Sequence, residues 1–200
     1  MKHISILVFV LSIINSISAI DLEKAFKLSY QYEEQGNISQ AIETLTQIYD
    51  KESYEINLRL GWLYYQQNLY QKSSEYYQKC IELNSMSIEA KFGIIQTFKS
   101  MGYNDKSLKA YQEILKIDNN NTEASYQIAS LYYNRKEFRN ALKYLEKIIK
   151  LYPNNHRIVL LMAWSQMQLS RFGDAKLNFE KVLILNPSDE SAQEGLSIIP

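Results

Sequence analysis

The chain has 200 residues, of which 46% are hydrophobic and 12% aromatic, enough to build a packed core. Its 22 basic and 22 acidic residues give a formal net charge of zero. That balance argues against a nucleic-acid-binding protein, because such proteins carry clustered, excess Lys and Arg. It also gives no reason to expect binding to an acidic membrane surface, and a single cysteine excludes an internal disulfide.

Residues 1–19 differ from the rest of the chain and predict a cleaved signal peptide. One lysine precedes an uncharged run over residues 4–20, and the most apolar part of that run, residues 4–14, has the length of a signal-peptide core. Cleavage is expected after Ser18 or Ala19, which makes the chain exported, periplasmic or secreted. The alternative is a membrane anchor formed by the uncleaved run, whose 17 residues reach the short limit for a span.

From residue 22 onward, a unit of 32 to 34 residues repeats along the sequence. A small residue recurs once in each unit, and larger apolar residues follow it four and seven positions later. This is the spacing of one helix face, and a small residue fits where two helices cross closely. The five small residues are Ala41, Ser73, Ser107, Ala141 and Ala175.

Each unit also carries a turn residue between its two predicted helices. Gly36, Asn68 and Gly102 tolerate a left-handed backbone. Lys136 and Ser170 occupy the equivalent places in the last two units and are less favourable there. Each unit is therefore predicted to form two amphipathic helices joined by a tight turn.

The repeated pattern resembles the tetratricopeptide repeat family. The fourth unit carries the pattern most completely, in Ala129, Tyr132, Phe138, Ala141, Leu145, Ile148 and Pro153. The resemblance implies an all-α fold, a right-handed α-solenoid of five antiparallel helix-turn-helix repeats followed by a short C-terminal capping helix. Residues 20–200 would form this domain, with Thr122 as the N-cap of the fourth repeat. The expected repeats are 22–53, 54–87, 88–121, 122–155 and 156–189, with the cap at 190–200.

Residue types that carry chemistry are sparse in this chain. Cys80 lies on the packing stripe of a second helix, where a free cysteine behaves as a small hydrophobe. His156 is the only histidine beyond the leader, and no partners at metal-ligand spacing accompany it. Neither a Gly-rich phosphate loop nor a nucleophile elbow occurs. The sequence therefore predicts a protein that is not an enzyme and that uses neither metal nor cofactor.

The family resemblance implies that the first helix of each repeat lines the concave side of the solenoid. On these helices a second stripe, mostly aromatic or apolar, lies about 100° from the stripe that packs on the hairpin partner. A helix with two apolar faces needs a second surface to bury against, which a ligand would provide. The predicted partner-binding residues of this groove are Phe26, Tyr30, Leu58, Trp62, Tyr65, Phe92, Gln96, Tyr126, Tyr133 and Trp164.

Two tryptophans occupy the middle place of this stripe, where repeats of this kind usually carry a polar Asn. An exposed Trp62 would combine a large apolar surface with an N–H donor, as interface hot spots do. Tyr65, Tyr126 and Tyr133 also suit packing against adjacent repeats. Trp164 is open to three interpretations, as a groove residue, a residue beneath the cap or a dimer contact, because its helix is apolar nearly all round.

The predicted function is that of an exported scaffold, in a cell-envelope or secretory-pathway complex, that binds a protein or peptide segment of apolar or aromatic character. The carboxylate clamp of the family's chaperone-tail binders is not expected, because only Arg59 is basic among the corresponding residues. A self-associating subunit of an envelope assembly and a membrane-anchored adaptor are the alternatives. The clamp positions hold Phe26, Tyr30, Arg59, Glu89 and Gly93.

Overall fold

The computed structural model describes residues 21–200, which form helices joined by short turns. The predicted signal peptide, residues 1–19, lies outside the described residues, as does the whole of the alternative anchor, residues 4–20. Eleven helices and no strand occur within the described range. The helices are α1 (21–34), α2 (Ile38–Thr46), α3 (Tyr54–Gln66), α4 (Tyr70–Leu83), α5 (Ile88–Ser100), α6 (Asn104–Ile117), α7 (Thr122–Asn134), α8 (Phe138–Ile148), α9 (His156–Gln168), α10 (Phe172–Leu185) and α11 (Glu190–Ser197).

The helices are grouped in two compact units. The N-terminal unit ends at Gly102 and contains α1 to α5, in which α3 packs on α2 and α4, and α4 packs on α5. The C-terminal unit runs from Tyr103 to Pro200 and contains α6 to α11, with each helix packed on the next along the chain and α11 covering α9 and α10. The predicted all-α fold of helical hairpins with a C-terminal capping helix is confirmed. Between residues 21 and 200, each helix is too short or too polar to cross a membrane.

The small residue of each repeat is fully buried where the helices meet, as the spacing predicts. In the second repeat this residue is Ser73, whose hydroxyl requires hydrogen-bond partners. Ser73 Oγ donates to the carbonyl of Gly61 at 2.8 Å and shares a 2.9 Å hydrogen bond with Thr97 Oγ1. One small side chain therefore joins α3, α4 and α5 without leaving a buried polar atom unpaired.

A side-chain cap begins α3, α5, α7, α9 and α11, and the capping residues recur every 34 residues. In each case the side-chain oxygen accepts a hydrogen bond from the backbone N–H three residues later, which satisfies a donor that the first turn leaves free. The fourth repeat is capped by Asn121 and not, as predicted, by Thr122. Thr122 is the first residue of α7 and its hydroxyl faces the carbonyl of Asn120. The five caps are Ser53, Ser87, Asn121, Asn155 and Asp189.

The turns between paired helices all use one residue in the left-handed region. Gly36 and Gly102 have φ values of 77° and 74°, and Asn68, Lys136 and Ser170 have values of 60°, 62° and 58°. The N–H of each residue donates to a carbonyl of the preceding helix three residues earlier, which ends that helix. The less favourable side chains therefore adopt the same turn as the glycines, because the surrounding hairpin is the same.

A close helix approach shapes the N-terminal unit around Tyr77 of α4. The Tyr77 ring lies between two glycines, and a Cβ atom built at Gly93 would fall well under 3.0 Å from its ring atoms, whereas one at Gly61 would lie 3.1 Å away. The C-terminal unit has the same kind of contact, since a Cβ on Gly195 of α11 would clash with the ring of Phe179 of α10. In both pairs a ring on a second helix packs directly against a glycine of the following helix, whereas Tyr111 at the equivalent place of α6 is followed by Gln127 at the corresponding position of α7.

We expect Gly93→Ala to destabilise the protein by about 1 to 3 kcal/mol, because the new methyl group overlaps the buried Tyr77 ring. Gly173→Ala is the matched control, since a Cβ there meets nothing within 4 Å and alanine favours a helix by up to about 1 kcal/mol. Urea unfolding monitored by circular dichroism measures both changes.

Adding Tyr77→Leu to Gly93→Ala should recover part of the loss, since one equivalent pair in the C-terminal unit, Leu145 and Leu161, combines a leucine with a side chain larger than alanine. Strictly additive effects of the two substitutions would contradict a contact between this ring and the new methyl group.

Candidate functional site

The N-terminal unit contains an open pocket of about 690 Å³ that is lined mainly by its three first helices, α1, α3 and α5. The lining side chains recur at three- and four-residue intervals along each helix, so one face of each helix turns toward the pocket. Seven of the predicted partner-binding residues line it, namely Phe26, Tyr30, Leu58, Trp62, Tyr65, Phe92 and Gln96.

Trp62 presents a large apolar surface at this pocket, with 41% of the residue exposed. Its indole ring stacks on Tyr65, with centroids 6.1 Å apart and ring planes 21° apart. Its Nε1–H donates to Glu33 Oε1 at 2.6 Å. The hydroxyl of Tyr65 lies 3.2 Å from Ser100 Oγ. These contacts hold both rings in place while leaving the indole accessible from solvent.

A buried ion pair lies beneath this aromatic surface. Arg59 Nη1 and Glu33 Oε2 are 2.6 Å apart, and the Arg59 side chain is only 6% exposed. The Tyr30 ring covers the guanidinium at 3.8 Å and is itself half exposed. Within the described chain, Nε and Nη2 of Arg59 have no hydrogen-bond acceptor.

The charge state of Glu33 follows from these neighbours. Burial by itself would raise the pKa of the Glu33 carboxyl. The hydrogen bonds from Trp62 and Arg59, together with the Arg59 charge, outweigh burial and hold the pKa below its ordinary value. Glu33 is therefore an ionised acceptor that joins the indole of Trp62 to the guanidinium of Arg59.

Six of the residues that line the pocket are not among the predicted site residues. The pattern of apolar positions passes over the charged residues and over Gly93, and it assigns Tyr77 to the packing stripe of a second helix and not to the groove. Arg59 and Glu33 are visible in the sequence as polar residues on the first helices, but their pairing requires two helices to be placed side by side. The six residues are Glu33, Glu55, Arg59, Tyr77, Glu89 and Gly93.

The predicted site residues of the C-terminal unit have contacts within that unit. The guanidinium of Arg157 lies 4.3 Å from the Tyr126 ring centroid, and Tyr133 meets Phe138 at a centroid distance of 5.3 Å. Trp164, which is half-buried, packs edge-on against Phe179 in a cluster that includes residues of α11.

The indole N–H of Trp164 has a partner on the capping helix. Its Nε1 donates to Ser191 Oγ of α11 at 2.9 Å. Of the three interpretations open for this residue, its contacts are those of a side chain packed beneath the C-terminal cap.

Cys80 is buried in the core, and His156 contacts an acidic residue of a helix cap. Cys80 is fully buried, its Sγ lies 3.6 Å from the carbonyl of Tyr54, and burial raises the pKa of its thiol to about 12. His156 Nε2 lies 2.7 Å from Asp189 Oδ2, which links the start of α9 to the cap of α11. Over residues 21–200, no three His, Cys, Asp or Glu side chains come together as metal ligands would.

Three family models match parts of the chain. Residues 25–52 and 54–85 each match a model of the tetratricopeptide repeat, and residues 100–182 match the model described as anaphase-promoting complex, cyclosome, subunit 3. The comparison with curated proteins finds no match. The tetratricopeptide repeats predicted from the sequence are thus confirmed.

Solved structures with the same fold share little sequence with this chain. A tetratricopeptide repeat protein from Parabacteroides merdae is 19% identical with a TM-score of 0.77, over 88% of this chain and 70% of that one. A structure of MamA is also 19% identical with a TM-score of 0.73, over 90% and 98% of the two chains. YrrB, described as a TPR protein with an unusual peptide-binding site, is 12% identical with a TM-score of 0.72, over 87% and 91%. At these identities the likeness concerns the fold alone.

We expect Glu33→Gln to destabilise the protein by about 2 kcal/mol, because it leaves the Arg59 guanidinium buried without a counter-charge. Adding Arg59→Met should recover part of this loss, since it removes the unpaired charge and keeps an apolar side chain of similar length. Urea unfolding at pH 7 compares the two variants with the unmodified protein.

The pH dependence tests the same ion pair. Because folding lowers the pKa of Glu33, the stability from its charge is fully present above the ordinary carboxyl pKa of about 4.3 and is lost as the pH falls through the lower folded value. The difference in stability between the unmodified protein and Glu33→Gln should therefore shrink below about pH 4. A difference that stays constant down to pH 2 would show that the charge of Glu33 is not involved.

Proposed function

We propose that this chain, which carries tetratricopeptide repeats, binds a peptide segment of another protein in the pocket of its N-terminal unit. The observation that carries this proposal is the exposed Trp62 ring, which stacks on Tyr65 in the lining of a pocket of about 690 Å³. A pocket of this size lies in the ordinary range for ligand sites, which extends over roughly 300–1,000 Å³.

The chemistry of the pocket suits a peptide with apolar or aromatic side chains. Trp and Tyr are enriched among residues that contribute most to binding, because each offers a large apolar area with a polar tip at a low cost in conformational entropy. The backbone of such a peptide supplies carbonyl and amide groups, which can bond to Gln96 and the charged groups of the pocket. The peptide-binding site of YrrB, which has the same fold, supports this kind of ligand.

Export is part of the same proposal and rests on the sequence of residues 1–19. The partner would then be met in the periplasm, the cell envelope or the secretory pathway.

The first test concerns the pocket. Phage-displayed random heptapeptides selected on the immobilised protein should yield enriched sequences, and Trp62→Ala combined with Tyr65→Ala should abolish their binding. The expected loss is about thirtyfold or more for a selected peptide measured by fluorescence anisotropy, since truncating a hot-spot side chain costs about 2 kcal/mol or more.

Tyr152→Ala is the control for that experiment. It removes an exposed aromatic ring that lies after α8 and outside the pocket, so binding should be unchanged. Circular dichroism must show the same helix content in all variants. Peptides that bind the double variant as tightly as the unmodified protein would disprove the pocket as the binding site.

The second test concerns the leader. Expressed from the full reading frame in its host, the protein should have a mature N-terminus at Ala19 or Ile20, because the small residues that precede these positions suit signal peptidase. Mass spectrometry of the intact purified protein reads this directly. A protein that retains residues 1–19 and fractionates with membranes would support the anchored alternative instead.

A further inference from the structure

Two exposed carboxylates face the pocket with no internal cation to balance them. Glu55 and Glu89 are the second residues of α3 and α5, and both line the pocket. Within residues 21–200 neither forms an ion pair with a basic side chain. The neighbouring Lys91 is buried and donates to the carbonyl of Ser85, so it leaves the charge of Glu89 uncompensated.

The two carboxylates act on the same part of the structure. Burial chiefly, and then the charges of Glu89 and Glu55, raise the pKa of the Cys80 thiol beneath them. The same two charges also contribute to raising the pKa of Tyr54, again after burial. Because both glutamates also line the same pocket, a cation bound there would be attracted by two carboxylates.

The C-terminal unit shows the same positions with a cation in place. The second residues of α7 and α9 are Glu123 and Arg157, at the places that Glu55 and Glu89 occupy in α3 and α5. Arg157 Nη1 lies 3.8 Å from Glu123 Oε2, and its guanidinium lies over the Tyr126 ring. In that unit, an arginine of the chain itself occupies the site between a carboxylate and an aromatic ring.

Arg59 gives a second, independent indication of a ligand. Its side chain is 94% buried, it lines the pocket, and its Nε and Nη2 atoms lack acceptors within the described residues. Buried donors without acceptors are costly and rare in native structures. Neutral carbonyl oxygens of a peptide backbone would satisfy them once the half-exposed Tyr30 ring moves aside, without adding negative charge to an acidic pocket.

We infer that the pocket selects peptide segments in which a basic side chain stands next to an aromatic or aliphatic one. The Arg or Lys side chain lies beside Glu55 and Glu89, as Arg157 lies beside Glu123, and the apolar side chain packs on Trp62. Aromatic faces also attract cations, so the remaining rings of the pocket favour the same ligand. This inference rests on the proposed function and specifies the chemistry of the partner.

The selected heptapeptides test the inference by their composition. Sequences enriched on the unmodified protein should contain Arg or Lys next to an aromatic or aliphatic residue, and acidic residues should be depleted. Selection on Glu55→Gln combined with Glu89→Gln should still enrich apolar residues but lose the preference for basic ones. Glu43→Gln combined with Glu82→Gln removes the same amount of charge from exposed positions on α2 and α4 outside the pocket. Selection on this control variant should retain the preference for basic residues.

Affinity measurements make the comparison quantitative. A selected peptide should bind Glu55→Gln/Glu89→Gln about tenfold more weakly, while its Arg-to-Gln analogue should bind both proteins alike. Binding to the unmodified protein should weaken as NaCl rises from about 50 to 500 mM, and the variant should lose most of this dependence. Glu89→Arg, which reproduces the arrangement at Arg157, should weaken binding of the basic peptide further still.

The outcomes separate this inference from the proposed function. Enrichment of apolar peptides without basic residues, still abolished by Trp62→Ala/Tyr65→Ala, would overturn the inference and keep the proposed function. Enrichment that does not depend on Trp62 and Tyr65 would overturn both. Circular dichroism and thermal unfolding confirm that each variant is folded before its binding is compared.

Discussion

A helical hairpin of about 34 residues has more apolar surface than its two helices can cover for each other. Each repeat therefore has to pack on the next one along the chain, and this constraint governs the structure. It explains why the small residues Ala41, Ser73 and Ala141 are fully buried where helices meet. It also explains the position of the capping helix, since α11 covers apolar side chains of α9 and α10.

Close packing between hairpins makes the size of one residue depend on the size of another. Tyr77 and Phe179 occupy the same place on the second helices α4 and α10, and each ring faces a glycine on the next helix. Leu145, at the equivalent place, is followed by Leu161 at the position of those glycines. The same position of the repeat therefore accommodates different pairs of side chains, with a ring against a glycine in two of the contacts and two leucines in another.

The sequence predicts most of the fold because the determining signals are local and repeat. Spacing along a helix identifies the residues that become buried, and Gly36 and Gly102 mark the turns. The turns at Lys136 and Ser170 follow from the register of the repeat and not from their own side chains. The one misplaced cap, Thr122 in place of Asn121, arose because both residue types cap helices and lie side by side.

The aromatic half of the pocket could be predicted, whereas its charged half could not. Phe26, Trp62 and Phe92 follow from the position of the second apolar stripe on each first helix. The ion pair of Glu33 with Arg59 joins two different helices, and its geometry depends on side-chain conformations that periodicity does not specify. That the Tyr30 ring covers Arg59 is likewise a property of the assembled unit.

The two units show how one fold produces different surfaces. In the C-terminal unit, Arg157 pairs with Glu123 on the face of Tyr126, and the indole of Trp164 is held by Ser191 of the capping helix. Those groups have partners within their own unit. In the N-terminal unit, a glutamate stands where the other unit has its arginine, and Trp62 remains exposed. A single position in the first turn, Glu89 in α5 and Arg157 in α9, thus distinguishes an acidic and aromatic site without an internal ion pair from one that contains an arginine of the chain, while the repeat around it stays the same.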